Sequence, residues 1–281
     1  MAATGIAIDT TSPFGTYGAE GLARLAWSLA DRHELAPRLR KGLRGTAARL
    51  FSGPFDIEAE GIRFRLYPGS NYDDRKIMAR RRLPERAEHD MLARYLVEGA
   101  VFVDIGANIG SYALKAARRG ARVLAVEANP ATAGRLAFNI AANSLDEIVV
   151  ATVAVGDAPG TMQLWSEPTN CGFATLVEDL TTGEWAGDWS SRTVTVHPLS
   201  SLLASHGIER VNVLKVDVEG FEDRVLLPYL RDCDPARLPR AVLIETNCRE
   251  HWARDCLAVL AGLGYAVEGE TKDNTLFGRA A

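Results

Sequence analysis

An acidic residue and two glycines follow one another at the end of a hydrophobic segment near the middle of the chain. The segment covers residues 101–105, Asp104 is its acid, and Gly106 and Gly110 lie at the start and end of the next five residues. A small-residue loop at a strand end lets backbone N–H groups approach a ligand, and the following helix directs its positive end toward the same place. The next predicted strand ends on Glu127, an acid placed to bind both hydroxyls of a ribose. Together these features predict a nucleoside-binding half of a doubly wound sheet.

The spacing within this loop favours one kind of nucleoside. Its glycines are four residues apart and an acid precedes the first, unlike the G-x-G-x-x-G pattern that serves a pyrophosphate. Asp104 would repel a phosphate but suits a cation, and S-adenosylmethionine carries an α-ammonium and a sulfonium and no phosphate. A methyl donor is therefore the favoured ligand. A dinucleotide and a turn that serves packing alone are the alternatives.

A second polar pattern lies in residues 211–220. With a two-residue period, Lys215, Asp217 and Glu219 share one face of the predicted strand. Central strands of a parallel sheet are normally apolar on both faces, so these ionisable groups are costly unless they pair or meet a ligand. A structural ion pair between Lys215 and an acid is the alternative to a role in a site. The next predicted strand ends on Glu245, which either faces the same crevice or caps the following helix.

The elements that must position these residues alternate between strand and helix after Gly99. We predict strands at 101–105, 122–127, 147–155, 211–220 and 240–246, and helices at 111–119, 130–143 and 249–263. Residues 156–197 are expected to form strands and loops over the sheet, and 264–279 an antiparallel hairpin that closes it. The fold class is therefore α/β, a Rossmann-like, mostly parallel, doubly wound sheet with right-handed crossovers.

The N-terminal part has a different character. A helix is predicted from Gly18 to Ala30, a basic stretch follows to Leu50, and the runs FDIEAE and IRFRLY predict a β-hairpin. We divide the chain into a helical and β-hairpin extension, 1–84, and a cofactor-binding domain, 85–281. The apolar residues of the first helix are a candidate contact for a second copy of the chain, namely Leu22, Leu25 and Leu29.

A basic run follows the loop PGSNYDD. We interpret it as a solvated helix face, with a phosphate-bearing acceptor as the alternative. Its members are Lys76, Arg80, Arg81, Arg82 and Arg86.

Composition narrows the classes of partner and compartment. The chain has 281 residues, 47% of them hydrophobic, and a net charge of −4, so neither nucleic acid nor a membrane is indicated as a partner. No apolar run is long enough to cross a bilayer, and the first residues lack the pattern of a signal peptide. The cysteines at 171, 233, 248 and 256 form no C-x-x-C pair and suit a reducing compartment, so we expect a cytoplasmic protein.

Between about residues 85 and 278 the chain resembles the FkbM family of S-adenosylmethionine-dependent methyltransferases. The resemblance rests on DIGANIGSYALKAA, VEANPATAGRLAFNIAAN, AVGDAPG, NCGFATL and LKVDVEGFEDRVL, which occur in this order. It implies a Rossmann-like methyltransferase, often an O-methyltransferase that acts on hydroxyls of sugars, polyketides or surface glycans. The family's strand-four signature matches Asp217, Glu219 and Gly220. The residues predicted to contact the cofactor are Asp104, Gly106, Ala107, Asn108, Gly110, Glu127, Ala128 and Asp217.

A hydroxyl acceptor must lose its proton during methyl transfer, so a positioned base helps. We predict Glu219 as this base, with Glu245 facing it and Asp217 beside them, and we consider His197 and His251 as further candidates. These carboxylates would alternatively hold Mg²⁺, but nothing fixes six oxygen ligands, so we expect no metal site. An N-methyltransferase for small molecules and a non-catalytic nucleoside-binding protein of the same fold are the other functions considered.

Overall fold

A central β-sheet organises the protein, which we describe from a computed structural model. The structure describes residues 8–18, 21–32, 34–167, 169–182 and 187–280. The described strands are β1 (Phe55–Ala59), β2 (Ile62–Leu66), β3 (Val101–Ile105), β4 (Arg122–Val126), β5 (Ile148–Ala151), β6 (Ala154–Val155), β7 (Gly160–Glu167), β8 (Asn170–Thr175), β9 (Ser190–His197), β10 (Val213–Val216), β11 (Ala241–Glu245), β12 (Tyr265–Glu270) and β13 (Asn274–Arg279). The described α-helices are α1 (Leu22–Ala30), α2 (Pro37–Leu50), α3 (Tyr72–Arg80), α4 (Arg86–Leu92), α5 (Ser111–Ala117), α6 (Pro130–Asn143), α7 (Leu199–Ser205), α8 (Glu222–Asp232) and α9 (Cys256–Gly262).

Seven strands form the main sheet, in the spatial order β5-β4-β3-β10-β11-β13-β12. Strands β5, β4, β3, β10 and β11 are parallel, and β13 and β12 form an antiparallel hairpin at the edge. The chain runs from β3 outward to β5 and then returns to place β10 on the other side of β3. The order of connections therefore reverses between β3 and β10, and ligands of such sheets bind at the carboxyl ends of the strands at that point.

The predicted α/β architecture is confirmed, because helices cover both faces of this mostly parallel sheet. Phe102 and Leu136 belong to the apolar core on one face, while Val103, Leu214 and Leu226 belong to the core on the other. Apart from Asp104 and Lys215, both faces of the central strands β3 and β10 are thus apolar, as expected for buried parallel strands.

A second sheet, with the order β6-β9-β7-β8, lies within the part of the chain from Ala154 to His197. This agrees with the expectation of strands and loops over the main sheet. The single strand predicted at 147–155 is wrong: the chain pairs with β4 as far as Ala151, and Ala154–Val155 pairs instead with β9.

The helix predicted at 249–263 is also wrong in its first half. Residues Arg249–His251 form a short 3₁₀ turn, and the α-helix begins only at Cys256. The Asp255 carboxylate accepts hydrogen bonds from the N–H groups of Leu257 and Ala258, so it caps a helix start that the apolar spacing did not reveal.

The N-terminal residues share the core of the main sheet. Trp27, Phe64 and Ile77 are fully buried in the same apolar cluster as Phe102 of β3. The predicted β-hairpin is confirmed as β1–β2. Residues 1–7, which bear on the signal-peptide expectation, and residues 19–20 of the predicted first helix lie outside the described residues.

The apolar residues Leu22, Leu25 and Leu29 are 74%, 54% and 36% exposed, and their contact with a second copy stays a prediction. None of the helices in the described part of the chain combines the length and apolar character needed to cross a bilayer.

A buried ion pair fixes α3 to the main domain. The Asp74 carboxylate of α3 accepts hydrogen bonds from the Arg135 guanidinium of α6 and from the Tyr67 N–H. The side chains of Asp74 and Arg135 are 0% and 2% exposed. Asn71 caps the start of the same helix by accepting hydrogen bonds from the N–H groups of the first turn. The loop expected at 68–74 therefore already contains the first turn of α3.

We predict that Asp74→Ala lowers the free energy of unfolding by about 3 kcal/mol, because it leaves the Arg135 charge buried without its partner. Urea denaturation measures the effect. Asp90→Ala is the control, since Asp90 pairs with Arg86 at 3.8 Å with both side chains more than two-thirds exposed. The control should change stability by less than about 0.5 kcal/mol. Equal, small effects of both substitutions would contradict the anchoring role.

Candidate cofactor-binding and active site

The carboxyl ends of β3, β4, β10 and β11 open into one cavity of about 270 Å³. Its wall contains most of the residues singled out from the sequence, at the point where the strand order reverses. These are Gly106, Ala107, Asn108, Glu127, Ala128, Asp217, Glu219 and Glu245. Asp104 and Gly110 are not among the described residues that line it. That the lining residues contact a cofactor stays a prediction.

The loop after β3 fits closely against β10. Gly106 has φ +80°, and a Cβ atom at this position would lie 1.8 Å from the carbonyl oxygen of Asp217. Only glycine tolerates both the conformation and the approach. The N–H groups of Gly106 and Ala107 each donate to the Val126 carbonyl at 3.0 Å, which ties the loop to the end of β4. The backbone of the loop thus forms the floor of the cavity.

Glu127 lies directly after β4, where the sequence predicted a ribose-binding acid. One carboxylate oxygen accepts from the Asn108 N–H at 2.9 Å and the other from the Asn129 N–H at 2.8 Å. Burial raises the pKa of Glu127 to about 7, although these N–H groups oppose the shift. Two backbone donors therefore fix the carboxylate in place while it lines the cavity, and its remaining lone pairs are available to hydroxyl groups.

Lys215 is the central cation beneath the cavity. It is 2% exposed, its Nζ lies 3.0 Å from the Asp217 carboxylate and 3.4 Å from that of Asp104, and it donates to the Gly106 carbonyl at 3.2 Å. Burial alone would lower the pKa of Lys215, but the two carboxylates raise it above its usual value. For the acid Asp104 the effect of burial is opposite: burial raises its pKa, and Lys215 opposes that shift. The ion pair left open by the sequence is present, and it includes Asp104.

Strand β10 ends at Val216, so Asp217 and Glu219 lie in the following loop and not on one face of a strand. Their carboxylate oxygens and that of Glu245 nevertheless lie within 4.8 Å of one another. The Glu219 N–H donates to Glu245 Oε2 at 3.2 Å. Glu219 itself has φ +55°, an uncommon conformation for this residue type. The three acids singled out from the sequence therefore lie close together, although they do not share one strand face as predicted.

Neighbouring acids hold this loop in shape. Glu222 accepts hydrogen bonds from the N–H groups of Val218 and Gly220, and from the Trp252 indole at 2.6 Å.

Burial and the carboxylates of Asp217 and Glu222 raise the pKa of Glu219 well above its usual value. Burial raises the pKa of Glu245 as well, with Asp217 and Glu219 adding to the shift. A proton or a nearby positive charge therefore stabilises the cluster.

The structure adds lining residues that the sequence did not indicate. Asn71, Asp73 and Glu85 precede β3 in the chain, as does Lys76 of the basic run, for which the sequence favoured a solvated helix face. Others lie beyond β11: Asn247, Asp273 and Asn274. The histidines considered as bases, His197 and His251, are not among the described lining residues. Contacts of this kind join distant parts of the chain, and no local spacing signals them.

The strand order, the antiparallel hairpin and the position of the cavity define a Rossmann-like α/β fold of the class I methyltransferase type. A sequence profile described as the methyltransferase FkbM domain matches residues 104–251, more than half of the chain. The protein therefore belongs to the FkbM methyltransferase domain family, as its resemblance implied.

Individual relatives are more distant. Methyltransferase sdnD from Sordaria araneosa is 31% identical over 170 residues, which cover 51% of this chain and 65% of that protein. The chain thus spans less than two-thirds of the length of this curated relative. Among solved structures, a putative methyltransferase, yhhF, from Escherichia coli is 13% identical, with a TM-score of 0.45 over 80% of this chain and 99% of the other. An rRNA methylase from Streptococcus thermophilus is 11% identical, with a TM-score of 0.43 over 70% of this chain and 97% of the other.

Proposed function

We propose that this protein transfers a methyl group from S-adenosylmethionine to a hydroxyl oxygen of a sugar, glycan or secondary metabolite. One observation carries the proposal: Glu127 and the carboxylates of Asp217, Glu219 and Glu245 line the same cavity at the switch point of the sheet. Membership of the FkbM methyltransferase domain family supports methyl transfer as the reaction.

The cavity suits the nucleoside part of the donor. Glu127 offers carboxylate oxygens to the ribose hydroxyls, and Val153, Ala154 and Leu164 provide an apolar wall for the adenine ring. On the other side of the β3 loop, Asp217 places negative charge where the sulfonium would lie. A site of this kind favours a cationic nucleoside and disfavours the phosphates of a dinucleotide.

The far end of the cavity suits an acceptor with several hydroxyls. Beside Glu219 and Glu245 it offers the side chains of Asn247, Asp273 and Asn274. Carboxylates and amides together supply donors and acceptors for neighbouring hydroxyl groups. This composition supports a sugar or another polyhydroxylated acceptor over an apolar one. The alternative is an amine acceptor, and hence N-methylation. A screen of hydroxylated and amine-bearing acceptors distinguishes the two reactions.

The reaction needs alignment and removal of one proton. The donor supplies an electrophilic methyl group, and the cavity walls hold the acceptor oxygen in line with it. The Glu219 carboxylate takes the hydroxyl proton as the new C–O bond forms, which leaves a methyl ether and S-adenosylhomocysteine. The Glu245 carboxylate accepts a hydrogen bond from the Glu219 N–H and so positions the base.

Mg²⁺ is the second chemistry that the carboxylates would support. Asp217, Glu219 and Glu245 offer three of the six oxygen ligands that Mg²⁺ prefers, and the ion would polarise an acceptor diol. Asp217 is already paired with Lys215, so we assign Glu219 the role of base without a metal. We also propose a cytoplasmic location, because all four cysteines are free.

We predict that the protein binds S-adenosylmethionine and S-adenosylhomocysteine at one site and does not bind NAD. Isothermal titration with each ligand measures this. Glu127→Ala should weaken S-adenosylhomocysteine binding by about tenfold or more, because the ribose hydroxyls lose a charged acceptor. The control Glu147→Ala removes an exposed acid outside the cavity and should leave affinity unchanged. Tight binding of NAD, with none of the methyl donor, would contradict the proposal.

We further predict that Glu219→Gln lowers methyl transfer at least 100-fold and leaves S-adenosylhomocysteine affinity within about threefold, because it removes the base but keeps the side-chain shape. Transfer from a tritiated donor to a panel of hydroxylated sugars measures turnover. Wild-type activity should rise with pH, since the base must lose a proton whose pKa is raised. The control Glu178→Gln alters an exposed acid. Unchanged turnover in Glu219→Gln would remove it from this role, and donor binding without turnover on any acceptor would favour the non-catalytic alternative.

A further inference from the structure

A segment outside the region that matches the family profile builds one wall of the cavity. Asn71, Asp73 and Lys76, at the start of α3, and Glu85, just before α4, all line it. The profile match begins only at Asp104. The sequence suggested a solvated helix face for Lys76, whereas its side chain is 38% exposed and lines the cavity.

This wall is connected to the loop after β3. The Asn71 side-chain amide donates to Asn108 Oδ1 at 2.9 Å, and Asn108 Nδ2 donates to the Asp73 carboxylate at 3.2 Å. The Tyr112 hydroxyl of α5 donates to Glu85 at 2.8 Å. The segment is therefore part of the same hydrogen-bonded structure as the predicted cofactor loop.

The wall also lies at the correct end of the cavity for one part of the donor. Strands β4 and β10 flank β3 on opposite sides, so Glu127 and Asp217 lie on opposite sides of the loop. Glu85 belongs to the Asp217 side, because it accepts a hydrogen bond from Tyr112, whose ring centroid lies 5.0 Å from Lys215 Nζ, and Lys215 pairs with Asp217. A nucleoside whose ribose binds Glu127 would therefore direct its 5′ substituent across Gly106 toward Asp217 and Glu85.

The charges of the wall match a zwitterion. Lys76 Nζ lies 3.0 Å from Asp73, and Glu85 adds a second acid nearby. The other described cation of the cavity, Lys215, is buried between Asp104 and Asp217. Lys76 is therefore the lining cation that an incoming carboxylate can reach, and the neighbouring acids suit an incoming ammonium.

We propose that this wall is the subsite for the amino-acid end of S-adenosylmethionine, with Lys76 binding the α-carboxylate and Asp73 and Glu85 binding the α-ammonium. The inference rests on the proposed function, and it assigns donor recognition to residues that precede the matched domain. Asn71 and Asn108 position Asp73, and Tyr112 positions Glu85.

Two ligands that differ in this end alone test the proposal. S-adenosylhomocysteine carries the amino-acid group, and 5′-methylthioadenosine shares the thioadenosine part but lacks it. We predict that Lys76→Met weakens S-adenosylhomocysteine binding by about tenfold or more and changes 5′-methylthioadenosine binding by less than about twofold, because one charge-assisted contact is lost. Glu85→Gln should discriminate between the ligands in the same direction. Isothermal titration of the full chain gives both affinities.

The control is Lys115→Met. It removes a comparable ion pair, in which Lys115 Nζ lies 3.0 Å from the Glu60 carboxylate, and neither residue lines the cavity. It should change neither affinity. Circular dichroism confirms that each variant is folded, and Lys76→Gln replaces Lys76→Met if the latter is not. Equal weakening of both ligands, or no weakening of either, would overturn the subsite. A wild-type protein that binds neither ligand would instead refute the proposed function.

Discussion

The site depends on one buried ammonium group. Lys215 is the register partner of Asp104 across β10 and β3, and its Nζ reaches both Asp104 and Asp217. A lone charge at this depth would be strongly unfavourable, and loss of either kind of partner would leave an uncompensated ion in the core. The ion pairs therefore fix the ends of β3 and β10 against each other. The close approach of Gly106 to the Asp217 carbonyl is possible because these strand ends are held in this way.

This arrangement also divides the acids of the site by role. Asp104 is neutralised by Lys215 beneath the loop, so it shapes the site from below and is not among the described residues of the cavity wall. Glu219 and Glu245 form no ion pair with a cation among the residues that the structure describes, and burial raises the pKa of both well above the usual value. The cavity thus retains unneutralised acidic groups. A cationic ligand relieves this state, whereas a phosphate would worsen it.

Sequence patterns predicted the local features well. Pro130–Asn143 is helical with the predicted bounds, because Asn129 caps the helix and Pro130 suits its first position. The acids at the ends of β4 and β11 lie where parallel strands must bring them.

The predictions were wrong where contacts between distant residues determine the structure. Strand β10 ends before Asp217, the chain leaves the main sheet before Ala154, and α9 starts late, after Asp255. Lys76 reaches the cavity because the buried Asp74–Arg135 pair and the apolar core fix α3 against the sheet, and Glu85 is held there by the Tyr112 hydroxyl of α5. No spacing within the segment encodes that packing.

The most direct test is a crystal structure of the complex with S-adenosylhomocysteine. The account predicts ribose hydroxyls within hydrogen-bonding distance of the Glu127 carboxylate, the thioether above the β3 loop near Asp217, and Lys215 still between Asp104 and Asp217. A nucleoside bound outside this cavity, or a Lys215 side chain that leaves both carboxylates when the ligand binds, would contradict it.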